Sequence, residues 1–248
     1  MSAHSTDVII LAGGTGRVGG ATLATLAARG AHVALFSRDG DRAQATIERE
    51  VPTELQPQVS VVVVDLTQFA KAQDAVEEVV RRFGRLDAAI SLAGGGSAWS
   101  AIVDSNPDML AESIRNNLAV AYNLMVPALR AMLAAPRGES RSRGRLLAVT
   151  AGSSLDPAPT RGIMGIGKAG VNTLMRAIAR EHKADGIVAN ALILGGVATE
   201  AARAYLDADE FAAAASPQEV ADVLAFHASD ASSGINGELI HLNAREVD

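Results

Sequence analysis

The chain has 248 residues, 48% of them hydrophobic and 20% charged, with a net charge of −6 and no cysteine. That length can bury a core without covalent staples, and the missing thiols exclude a disulfide scaffold, a thiolate metal site and a cysteine nucleophile. The acidic balance argues against a nucleic-acid surface. No apolar run is read as a ~20-residue membrane span, and Met1 to Asp7 lacks the order of a signal peptide, so a cytoplasmic protein is expected.

Aromatic residues make up only 3% of the chain, so the core must be built from Ala, Val, Leu and Ile. Short β-branched runs alternate with longer stretches of helical periodicity. In chain order these are a strand at 8–12, a helix at 19–28, strands at 33–36 and 59–64, a helix at 70–83 and a strand at 88–92. A helix at 109–133, a strand at 145–149, a helix at 169–182 and a strand at 187–194 follow. Ser216-Pro217 with Glu219 reads as a capping box opening another helix, and 238–242 is the last strand. Strand, helix, strand at intervals of roughly 30 residues predicts crossover units on a parallel sheet. The expected fold is a single α/β domain over residues 1–248, a doubly wound, Rossmann-like parallel sheet. The segment 137–145, with four arginines, reads as a solvated loop rather than an anion patch.

On such a sheet ligands sit beyond the strand C-termini. There the first strand runs into Gly13-Gly14-Thr15-Gly16-Arg17-Val18-Gly19-Gly20. Gly13 and Gly16 allow a tight turn whose amides approach a diphosphate, and Gly19 allows close helix–strand packing. The second strand ends in Ser37-Arg38-Asp39, where an NAD site usually carries an acid for the ribose 2′-hydroxyl. A guanidinium matches a 2′-phosphate, so Arg38, with Arg17 as a second charge, favours NADP(H) over NAD(H). Asp39 pulls the other way, since it could neutralise Arg38 or bind the ribose itself. The five histidines are scattered and show no metal-ligand pairing.

Further landmarks in order are Asp65-Leu66-Thr67, Ser91-Leu92-Ala93-Gly94, Asn116-Asn117-Leu118, Lys168-Ala169-Gly170, Asn190 through Gly195, Thr199, and Ser216 through Glu238. With the glycine turn, they make the sequence resemble the short-chain dehydrogenase/reductase family over nearly its whole length. The resemblance implies nicotinamide-dinucleotide contacts at Gly13, Thr15, Gly16, Arg17, Val18, Gly19, Ser37, Arg38, Asp65, Leu66, Ala93, Gly94, Lys168 and Thr199. It also implies a homo-oligomer, a dimer or tetramer, joined through the two long helices, and a small-molecule substrate. Gly94 to Trp99 and the segment 195–215 are expected to line the substrate pocket.

The family's usual Tyr and Ser are absent. Four residues before Lys168 stands Met164, which has no proton to give, and thirteen before that stands Ala151. The retained catalytic candidates are Asn117 and Lys168. A loop shift could bring in Ser153 or Ser154. Met164-Gly165 also resembles the enoyl-thioester reductase branch, whose Tyr position is Arg161 here. Arg161 could stabilise an enolate, bind a substrate anion, or simply be a loop cation. Of the two tyrosines, Tyr122 is expected to meet the core or a partner subunit, and Tyr205 could serve as an acid but is expected to pack or to form a lid. The reading is therefore an NADPH-linked reductase of a small ketone, enone or similar compound, with a non-standard site. The alternative is an inert or non-redox protein on the same scaffold: a binding subunit, a cyclase or an isomerase.

Overall fold

In the computed structural model, which describes residues 7–95, 99–136, 140–204 and 206–242, apolar runs too short to bury themselves as helices pair side by side. The strands are β1 Val8–Ala12, β2 His32–Ser37, β3 Val59–Val63, β4 Ala88–Ser91, β5 Gly144–Ala151, β6 Ile187–Leu194 and β7 Leu239–Leu242. They form one all-parallel sheet in the order β3-β2-β1-β4-β5-β6-β7. A parallel sheet must be covered on both faces. One face packs Ile9, Leu11, Leu35, Ile90 and Leu192 against α1 (Arg17–Ala28), α2 (Gly40–Glu50) and, later in the chain, a helix at Pro217–His227. The other packs Ile10, Ala34, Ala89 and Ala148 against α3 (Phe69–Phe83) and two further long helices described next.

The helix expected at 109–133 runs from Pro107 to Ala134 as α4 (Pro107–Ser113), one π turn (Ile114–Ala119) and α5 (Val120–Ala134). By length and composition it could cross a membrane, which the hydropathy of the sequence did not suggest; here 56% of its apolar window is buried in the protein. The next helix, α6, spans Gly162–Glu181 and starts seven residues before the expected 169. Gly165 and Gly167 disguise it in sequence, yet they are what the packing needs. A Cβ at Gly165 would lie 2.3 Å from the Ser153 carbonyl oxygen, and one at Gly167 2.8 Å from that of Ser113. A short α7 (Ala208–Ala213) precedes α8 (Pro217–His227), which opens with the expected reciprocal bonds between Ser216 and Glu219. Helix α2 was not foreseen, because its charged sequence hides a narrow apolar stripe of Ala43, Thr46 and Ile47.

The arginine segment is not simply solvated. Arg137 lies outside the described residues, but Arg143 donates to the Leu133 carbonyl (3.3 Å). Arg145 is only 4% exposed and donates to Asp230 Oδ1 at 2.7 Å. An arginine can be buried here because β5 carries it to a carboxylate waiting beyond α8.

Gly19 packs against backbone, and an added Cβ would meet the Gly13 carbonyl oxygen at 2.4 Å and Gly14 Cα at 2.5 Å. Backbone cannot step aside as a side chain can, so Gly19→Ala is expected to destabilise the protein by about 1–3 kcal/mol. A lowered urea midpoint at unchanged m-value checks it, with Gly16→Ala, which faces open space, as the tolerated control.

Candidate active site

A cleft of about 680 Å³ opens at the C-terminal ends of β1, β2 and β4. Its floor is set by Gly13, at φ +81°, where any Cβ would fall 2.6 Å from the Ala93 nitrogen. Gly16 is the N-cap of α1 and makes no side-chain cap bond, the first turn holds no acid, and space is open above it. Unfilled amides at the positive end of a helix dipole suit a phosphate. Gly13, Thr15, Gly16, Ser37, Arg38, Asp65, Leu66, Ala93 and Gly94 all line this cleft.

Four expected contacts are placed differently. Arg17 turns toward α2, with a guanidinium nitrogen 3.8 Å from Glu50, and is not on the cleft wall. Val18 packs on the core, and Gly19 supports the turn from behind. Thr199 lies outside the described cleft wall, its amide donating to the Val197 carbonyl (2.8 Å). Arg42, which sequence reasoning missed because α2 was missed, joins Arg38 on the wall instead. Asp39 also lies on the cleft wall; its carboxylate caps α2 by accepting from the Arg42 amide at 3.0 Å and forms no ion pair with Arg38 among the described residues. Ser37 and Asp39 are tied together through the Ser37 hydroxyl. Asp65 accepts from the Thr67 amide (3.0 Å) and hydroxyl (2.8 Å), which hold its carboxyl below the usual range, with Arg38 adding to the effect.

The inner end of the cleft is built around Gly94. A Cβ there would sit 2.8 Å from Lys168 Nζ and 2.9 Å from Asn117 Oδ1. Asn117, in the π turn, accepts from the Gly95 amide (2.9 Å) and donates to the Ser113 carbonyl (3.0 Å). Lys168 Nζ donates to the Val149 carbonyl (3.1 Å), and burial pushes its pKa down to about 8. Ser154 accepts from Asn172 at 2.8 Å. Ser153 Oγ is buried without a partner among the described residues, as are the hydroxyls of Ser91 and Thr150. Ala151 ends β5, and Met164 is half-buried one turn before Lys168.

Arg161 is not a stray loop cation. Its guanidinium carbon stacks 3.1 Å from the Trp99 ring centroid, and the Ser100 amide donates to the Thr160 carbonyl at 3.1 Å. Thr160 carries φ +69°, a conformation costly for a β-branched residue. These contacts join the loops after β4 and β5 into one wall. Tyr122 is half-exposed beside Phe69 on the protein surface. Tyr205, and Gly96 to Ala98 of the expected substrate loop, lie outside the described residues.

Fold and cleft together define a doubly wound α/β protein of the dinucleotide-binding class. A family model described as "Enoyl-(Acyl carrier protein) reductase" matches residues 16–244, and the chain belongs to the short-chain dehydrogenase/reductase family of oxidoreductases. It is 27% identical to a 3-oxoacyl-[acyl-carrier-protein] reductase of Escherichia coli, covering 95% of each chain. It is 26% identical to an A-factor type gamma-butyrolactone 1'-reductase of Streptomyces virginiae, covering 94% of this chain and 92% of that one. The fold also superposes on the solved structure of ElxO with NADP bound, with TM-score 0.86 and 19% identity over 96% of this chain and 97% of that one.

The lowered pKa of Lys168 has a consequence for stability. Between pH about 8 and the ordinary lysine value of 10.5, the unfolded chain holds a proton that the folded chain has released, so this residue's contribution to stability rises with pH. Urea titrations of wild type and Lys168→Met are expected to differ in pH slope over that window, with the wild type gaining relative to the variant.

Proposed function

We propose that the chain is an NADP(H)-dependent oxidoreductase that reduces a small, largely apolar ketone, enone or similar compound. The observation carrying this reading is the cradle around Gly13 and Gly16, where an uncapped helix start faces open space and Arg38 and Arg42 stand together on the cleft wall. The residues fit a doubly phosphorylated dinucleotide: amides for the diphosphate, the two guanidiniums for a 2′-phosphate, and Asp65 and Leu66 beside the adenosine end. When bound, the nicotinamide ring supplies the hydride.

The chain's own residues then have separable tasks. Lys168 and Asn117 are held by Val149, Ser113 and Gly95, and we assign them the ribose and the inner wall. The buried hydroxyl of Ser153 is assigned to hydrogen-bond the substrate oxygen, and Arg161, pinned on Trp99, to offset negative charge developing there. Neither Met164 nor Ala151 can deliver a proton. Loss of a positioned acid costs about 10²–10⁴-fold, which favours activated substrates whose protonation water can complete. Ile114, Tyr122 and Ile166 leave exposed apolar surface on the two long helices, and we assign it to a homo-oligomer.

Those same two substitutions favour a second reading, an inert or non-redox binding subunit, and a direct assay separates the two. Under the reductase reading, NADPH binds and is consumed with an activated enone or ketone. Binding without consumption across such a panel supports the second reading, and absence of binding ends both cofactor proposals. Arg38→Ala is expected to weaken NADPH binding by about tenfold or more while leaving NADH nearly unchanged; equal losses would refute the NADP assignment. Met164→Tyr with Ala151→Ser is expected to raise carbonyl reduction by at least about tenfold, read as kcat/KM.

A further inference from the structure

A second cavity, of about 980 Å³, lies at the opposite end of the sheet from the cleft, where β6 and β7 begin and α6 ends. Arg176 and Arg180, four residues apart on α6, line one side of it, with Lys183 in the turn just past the helix. Arg141 faces them from the segment before β5. Glu238 is the one carboxylate on the described wall, and none of the four cations forms an ion pair among the described residues. Cations near a helix C-terminus offset its dipole, which accounts for Arg180 and Lys183. It does not account for Arg176 set one turn earlier as a like-charge neighbour, nor for Arg141 brought in from another element.

The surroundings are built rather than loose. Asp230 could have neutralised the group, but its oxygens are committed: Oδ1 accepts from Ser140 (2.7 Å), Arg145 (2.7 Å) and Ser233 (2.9 Å). Its Oδ2 accepts from the Arg141 amide (3.2 Å), which fixes the segment carrying that side chain. Across the cavity, Asn190 and Asn236 lock the strand leading into β7, with four bonds of 2.7–3.1 Å to backbone groups of Ala189, Ile187, Ile235 and Glu238. Space is open above Gly234. A protein of net charge −6 thus gathers four cations against one carboxylate, among the described residues, around a concave surface of small-ligand size.

We infer that this cavity binds a small ligand carrying two or more phosphate groups, at a site separate from the dinucleotide cleft. Guanidiniums pair bidentately with phosphate oxygens, and several cations on two elements select a polyphosphate over a single anion. The test uses calorimetry of the full chain with tripolyphosphate at low and moderate salt. Saturable binding is expected, weakened by at least about tenfold in the triple variant Arg176→Gln, Arg180→Gln, Lys183→Gln and unchanged in Lys71→Gln, an exposed cation that lines neither cavity. All three side chains are exposed, so the triple variant should fold; Arg141→Gln provides an independent, milder loss. Absence of saturable heat at millimolar tripolyphosphate overturns the proposal. So does loss of binding in Arg38→Ala with retention in the triple variant, which would assign the anion to the cleft. Binding of duplex DNA or anionic vesicles in place of tripolyphosphate overturns it as well.

Discussion

The site rests on backbone packed against backbone where β1 and β4 end. Gly13 sits against the Leu92–Ala93 peptide with no room for a Cβ, and Gly19 sits as closely against Gly13 and Gly14. This contact sets how far α1 stands from the sheet, and so where its amides point. It also holds the Ala93–Gly95 turn, against whose glycines Lys168 and Asn117 are arranged. One steric condition, the absence of side chains at a few positions, therefore couples the phosphate end of the cleft to its inner end.

At that inner end the support is ordered around Asn117 and Lys168, with Met164 one turn before the lysine. Asn117 is held from two sides and is the buried residue of its π turn, and a lysine is kept inside with one carbonyl acceptor. Burying an ammonium with so little compensation is unfavourable, and its lowered pKa expresses that cost. Several buried hydroxyls nearby lack partners among the described residues. The pocket is polar and under-satisfied rather than filled with apolar side chains, as a vestigial pocket would be.

Charge is distributed unevenly for an acidic protein. Arg38 and Arg42 stand at the cleft, and Arg141, Arg176, Arg180 and Lys183 at the far end of the sheet. Arg145 and Asp230 are used structurally, with the arginine inside and its partner half-exposed. Carboxylates are spent on helix caps and ion pairs elsewhere, as Asp39, Asp207 and Ser216-bound Glu219 illustrate. Both groups of cations face open cavities, the cleft pair with Asp39, Asp65 and Glu112 on the same wall and the far group with Glu238.

The strands, the glycine turn and the family were legible from local pattern alone: β-branched runs mark buried parallel strands, and glycine at 13 and 19 announces backbone crowding. Asn117, Lys168, Ala151 and Met164 stand out by spacing from those landmarks, and the structure brings Asn117 and Lys168 together at Gly94. Tertiary contacts decided the rest. Gly165 and Gly167 broke the helical pattern in sequence because their role is to admit Ser153 and Ser113 from other elements. Arg17 and Arg42 exchanged places as cleft cations because α2, too polar to betray itself, presents Glu50 to the first and turns the second inward. The arginines at 141 and 145 took opposite fates, one in a cavity and one buried on a carboxylate 85 residues away. Local propensity encodes the elements; which charge meets which partner depends on distances that exist only after the chain has folded.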